Sequence, residues 1–283
     1  MKPRLLSVLG AVVLIAGAAG GAAWWLRRDA PETALPPVPA DLATEDLPVP
    51  PFPPRIADDD RYDKCMTMLA DDPEGAEAIA ASWQATGGGD GAIHCQALAM
   101  IAKGEPEAGA GMLEKLAHGD KVQGLTRVVL LTQAAEARLM ADQAAPALKD
   151  TSEALEISPE DVDLLVGRAN ANDALGRANN AMDDLNHALS LDPSHGEALV
   201  LRAAVWRKMD KLNEARSDID KAIALDPEDA EALLERGILR QLTGDREGAR
   251  QDWTRAQEVD PNSETAELAA QNLTLLDAGP SRK

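Results

Sequence analysis

The sequence predicts an all-α protein, a solenoid of stacked helical pairs standing behind an apolar N-terminal segment and a Pro-rich linker. Three observations carry that prediction. Aromatic residues are only 2% of the 283-residue chain, although apolar residues reach 45%. Sheet proteins lean on aromatic and β-branched residues, whereas this chain is built on Ala, Leu and Glu, which favour helices. Proline occurs at 159, 193, 227 and 261, each 34 residues after the last, inside "ISPE", "LDPS", "LDPE" and "VDPN". A fixed interval of that length means one supersecondary unit repeated and stacked.

The first element is "LLSVLGAVVLIAGAAGGAAWWL", Leu5 to Leu26, without a charged residue. As a helix it would be roughly 33 Å long, enough to cross a hydrocarbon core. Trp24, Trp25, Arg27 and Arg28 close it with an aromatic and basic collar, so residues 1–28 are expected to anchor the chain in a membrane. A cleaved signal peptide, processed at Gly21-Ala22-Ala23, is the alternative. With few residues ahead of the span, the body is expected outside, which in a bacterium means the periplasm; a cytoplasmic body is the other topology. Gly17 and Gly21 stand four apart, a spacing that lets two membrane helices approach and dimerise weakly, although an Ala/Gly-rich segment offers such matches freely.

Residues 29–58 follow as an acidic linker. Nine prolines between 31 and 54 remove backbone donors and favour an extended spacer that reaches up to roughly 75 Å. A ligand for a proline-binding module is the other reading of that stretch.

From 59 to 127 two pairs of helices are expected without a clean repeat, with Ala97, Gly104, Gly109 and Leu113 partly in step. From 128 to 261 the step is regular. Counting back from each proline, one set of slots holds Leu131, Leu165, Leu199 and Leu233, and another Ala135, Ala169, Ala203 and Gly237. Further slots hold Ala147, Ala181, Ala215 and Ala249; Thr151, Leu185, Ile219 and Trp253; and Ala154, Ala188, Ala222 and Ala256. Small residues let the two helices of a pair approach, large ones fill the space between pairs, and proline stops the second helix. The turn inside a pair has Gly176 and Gly244 in two repeats and Asp210 in another. Residues 262–283 read as a solubilising cap helix and a tail.

Over 128–261 the chain resembles the tetratricopeptide repeat family. The resemblance implies a concave groove lined by the first helix of each repeat, gripping protein or peptide segments. Its groove slots fall on Asp163, Val166, Asn170 and Asp173, then Glu197, Val200, Ala204 and Arg207, then Glu231, Leu234, Ile238 and Gln241. One well-known version holds acidic C-termini with Lys, Asn and Arg. Here Val166, Val200 and Leu234 replace polar grips, and Asp163, Glu197 and Glu231 would repel a carboxylate. An apolar floor with an acidic edge suits an extended or amphipathic segment carrying Lys or Arg. The same residues are also explained by packing between helices and by acids favoured at helix starts.

Cys65 and Cys95 are the two cysteines. In an oxidising compartment they are expected to pair; two buried thiols are the alternative. With His94 they show no metal-ligand spacing, and "TGGGDG", Thr86 to Gly91, lacks the lysine of a phosphate loop. No metal, cofactor or catalysis is expected, and an enzyme using Cys65, His94 and Cys95 is the distant alternative. The net charge of −20 disfavours nucleic acid. The leading expectation is a membrane-tethered periplasmic adaptor, resembling in architecture the accessory factors of bacterial envelope assembly or export. A structural, self-associating membrane protein is the second.

Overall fold

The structure, a computed structural model, describes residues 56–278. The apolar segment 5–26, Gly17, Gly21 and the prolines between 31 and 54 lie outside these residues. Among the described residues there are thirteen helices, no strand, and no helix long and apolar enough to cross a membrane.

Four helices come first: α1 (Asp60–Met68), α2 (Pro73–Ala85), α3 (Gly89–Ala102) and α4 (Pro106–Ala117). Four pairs follow: α5 (Leu125–Met140) with α6 (Ala144–Ile157), α7 (Val162–Ala174) with α8 (Ala178–Leu191), α9 (Gly196–Lys208) with α10 (Leu212–Leu225), and α11 (Ala230–Leu242) with α12 (Arg246–Val259). A last helix, α13 (Glu264–Ala278), closes the array. Each helix packs on the next, and α5, α7, α9, α11 and α13 also touch in succession, which makes them one continuous wall. This is the solenoid the 34-residue interval predicts.

Apart from the start of α5, which follows Gly124 without a side-chain cap, the boundaries in the pairs have repeated causes. The second helices end at Ile157, Leu191, Leu225 and Val259, two residues before each proline. The residue between is forced out of the helical region, as in Asp192 (φ −129°, ψ 95°) and Asp226 (φ −136°, ψ 103°). The next first helix is then capped at one recurring slot. Asp161 accepts from the Leu164 amide, His195 Nδ1 from Ala198, Asp229 from Ala232 and Ser263 from Ala266. Each cap satisfies an amide that the helix itself leaves open. Inside the pairs the turn takes a left-handed residue at Asp142 (φ 57°), Gly176 (71°), Asp210 (61°) and Gly244 (90°). Asp is one of the few side chains that tolerate this conformation, which explains Asp210 in a glycine slot.

The predicted core slots are buried in all four pairs. Trp253 shows why Gly237 departs from the alanine of its slot. A Cβ on Gly237 would lie 2.4 to 2.9 Å from three indole atoms, and the indole N–H donates to the Leu234 carbonyl at 3.1 Å. Burying each such large side chain stabilises by about 1.5–3 kcal/mol.

A second periodic device joins the helices of a pair. Arg168, Arg202 and Arg236 each hold a buried carboxylate sixteen residues on with two nitrogens: Asp184 at 2.9 and 2.6 Å, Asp218 at 2.7 and 2.9 Å, and Asp252 at 3.0 and 2.7 Å. In α5 the slot is Ala134, and Arg138, one turn later, reaches Asp150 at 2.8 Å instead. Burial pushes the Asp150 carboxyl up, with Arg138 opposing.

The helices before Leu125 are held differently. Cys65 and Cys95 meet between α1 and α3, fully buried, with Cα atoms 6.1 Å apart, a separation that a disulfide spans. His94, beside Cys95, is bonded through both ring nitrogens. Nδ1 lies 2.9 Å from the Tyr62 hydroxyl and Nε2 2.7 Å from Gln133 Oε1. Burial pushes its pKa down, which favours a neutral ring donating to Gln133 and accepting from Tyr62. That network ties α1 and α3 to α5.

Candidate functional site

The wall of first helices carries an open cleft of about 480 Å³ where α9, α11 and α13 come together. Its floor is apolar: Val200, Leu201 and Ala204 from α9, Leu234 from α11 and Leu268 from α13. Its polar lining is Asn170 from α7, Glu197, Glu231, Glu235 and Glu264, with Ser263 and Thr265 at the entrance to α13. Acid and floor residue stand one turn apart on each helix, Glu197 before Val200, Glu231 before Leu234 and Glu264 before Leu268. Residues three or four apart share a helix face, which is why both kinds point into one cleft.

Of the groove residues expected from sequence, Asn170, Glu197, Val200, Ala204, Glu231 and Leu234 line this cleft. Asp163 stands outside it, exposed, and accepts from His195 Nε2 at 2.9 Å. Val166 is 1% exposed and belongs to the core. Ile238 is half-buried against the Leu233–Trp253 cluster, and Gln241 is exposed beyond the cleft. Arg207 does not offer a cationic grip, because Glu235 of α11 accepts from its Nε at 2.5 Å and its Nη2 at 3.2 Å. Asp173 is likewise taken by Lys208 Nζ at 2.7 Å. The arrangement removes the positive charge that sequence alone left in the groove.

Leu268 was not among the expected residues, yet the 34-residue interval points at it. Val166, Val200, Leu234 and Leu268 are one slot in four successive helices. Their exposure rises from 1% at Val166 and 8% at Val200 to half-buried at Leu234 and 41% at Leu268. The slot closes in mid-array, where helices flank it on both sides, and opens towards α13. Glu264 stands one residue before the slot of Asp163, Glu197 and Glu231. Glu136 of α5 stands 34 residues before Asn170, in the slot of Asn170, Ala204 and Ile238.

The acids share one field. Partial burial in the wall pushes the Glu231 carboxyl up, and Asp229, Glu197 and Glu264 add to it. Glu136 is raised in the same way, by partial burial and then by Glu197 and Asp163. Glu235, more deeply placed, is raised by burial against the pull of Arg207. Among the described residues no group of three or more His, Cys, Asp or Glu side chains is placed to hold a metal ion. What the cleft offers is apolar contact beside concentrated negative charge.

The tetratricopeptide repeat family model matches residues 162–195, the span of α7, α8 and the loop to α9. A thermophilic tetratricopeptide repeat protein of Thermus thermophilus superposes with a TM-score of 0.56 at 17% identity, over 66% of this chain and 99% of its own. A tetratricopeptide repeat protein from Parabacteroides merdae gives a TM-score of 0.50 at 20% identity, over 68% and 75% of the two chains. A chain of the Cut9–Hcn1 hetero-tetramer of the APC/C gives 0.61 at 12% identity, over 76% of this chain and 42% of that one. Identities this low speak to the fold alone. Among curated proteins none matches in sequence.

Proposed function

Starting from a chain built of tetratricopeptide repeats, we propose that it is an adaptor holding an extended segment of another protein in the cleft between α9, α11 and α13. One observation carries this reading: the wall leaves an open apolar floor there, ending in the 41% exposed Leu268. In α7 the same slot is sealed, at Val166. Apolar surface left open beside polar groups is how a protein-binding groove differs from a packed core.

The adaptor is tethered to a membrane by residues 5–26 and faces an oxidising compartment, the periplasm of a bacterium, where it serves an envelope assembly or export process. The uncharged span closed by Trp24, Trp25, Arg27 and Arg28 supports the tether. The meeting of Cys65 and Cys95 in a buried site supports the compartment.

The test is affinity capture from detergent-solubilised native membranes, comparing the full chain with Ala204→Arg plus Leu268→Arg. Both positions are at least partly exposed, so the variant keeps its helical circular dichroism. Partners retained by the parent and lost by the folded variant are the expected result. Identical partners from both would remove the groove as the binding site.

A further inference from the structure

The cleft has two parallel rails. One is acidic, Glu197, Glu231 and Glu264, and the other apolar, Val200, Leu234 and Leu268, each rail contributed by α9, α11 and α13 in turn. On any one helix the two rails lie about one turn apart, roughly 5 Å along the axis. The three acidic side chains have no cationic partner among the described residues, whereas Asp173 and Glu235 of neighbouring slots are paired with Lys208 and Arg207.

The spacing across the wall fixes what can meet them. Packed helices stand about 8–10 Å apart. A polyproline II segment advances about 9.3 Å in one turn of three residues and returns each third side chain to the same face. A β-strand also covers about 10 Å in three residues, but its side chains alternate and i, i+3 point to opposite sides. Of the two extended forms, the three-fold one presents one face to the acidic rail and a second face to the apolar rail.

Resting on the groove reading above, we propose that the occupant is a polyproline-II-like polypeptide segment with Lys or Arg at every third position and an apolar residue beside each. It lies across α9, α11 and α13 so that successive cations meet Glu197, Glu231 and Glu264 while the apolar residues cover Val200, Leu234 and Leu268. The segment is recognised by its period as well as by its charge.

The experiment titrates the full chain with labelled peptides of about nine residues, one repeating Lys-Leu-Pro and one of equal composition with its lysines clustered. A third carries Glu for Lys. The period-three peptide binds, the clustered one binds about tenfold more weakly, and the Glu peptide does not bind. Glu197→Gln, Glu231→Gln and Glu264→Gln together weaken the period-three peptide about tenfold. Asp183→Asn, Glu214→Gln and Asp220→Asn, exposed acids on α8 and α10, change the net charge equally and leave binding intact. Equal binding of the clustered peptide, or equal weakening by the two triple variants, overturns the proposal. If no peptide binds while Ala204→Arg plus Leu268→Arg still releases a captured partner, this proposal falls and the groove reading stands.

Discussion

Before Leu125 the period survives only in part, in Ala97, Gly104, Gly109 and Leu113, whereas between Leu125 and Val259 the packing slots recur every 34 residues. In α1 to α4 the helices are joined by individual links: Cys65 beside Cys95, and Tyr62, His94 and Gln133 in one network. In α5 to α12 the same task is done by columns, small residues facing large ones and an Arg–Asp pair in each repeat. The difference teaches that a repeat array stands on contacts any neighbour can supply, so its stability sums over pairs. A region that has lost the period depends on particular residues that nothing nearby replaces.

The sharpest way to break the regular half is Trp253→Ala. The indole is fully buried against Gly237, and the cavity costs about 3–5 kcal/mol. Urea unfolding followed by hydrogen exchange should show the loss in α11 to α13 and spare α1 to α4. In the irregular half, Cys65→Ser with Cys95→Ser costs about 3 kcal/mol if the cysteines are bonded. Exchange should then quicken in α1 to α3 and leave α9 to α12 unchanged. Two alkylatable thiols in denatured, unreduced protein would contradict the bond.

A smaller effect separates the halves by pH. Burial holds the folded His94 below its ordinary value of 6.5, so the unfolded chain binds more protons there. Stability from this group is complete above pH 6.5 and falls as the pH drops below it, until the folded ring protonates too. Thermal melts between pH 7.5 and 5 should show the loss in the parent, and His94→Gln should flatten it. The smallest change is Asp210→Gly, which relieves a left-handed aspartate (φ 61°) and should raise stability by about 0.5 kcal/mol.

Much of the fold was legible because each periodic residue reports one local constraint: proline a helix end, alanine or glycine a close approach, tryptophan a volume. The arginine and aspartate columns stood at the same interval, 168, 202, 236 and 184, 218, 252, and could have been read with them. The groove was only half legible. Its slots followed the period, but exposure depends on how many helices flank a slot, which is why Val166 closes and Leu268 opens. Arg207 looked free because its partner Glu235 lies 28 residues on, within reach only once α9 and α11 are side by side. The irregular half offered only a partial period, Ala97, Gly104, Gly109 and Leu113, and beyond it only the cysteines suggested a contact.

The most direct test of the adaptor reading is in-cell photo-crosslinking from three positions of the full chain: Leu268 in the cleft, Arg216 on α10, and Gln84 on α2. All three side chains are exposed. Adducts with another protein from Leu268, and none from Arg216 or Gln84, are the predicted result. Adducts from Gln84 or Arg216 with none from Leu268 would contradict it and move the binding surface out of the cleft.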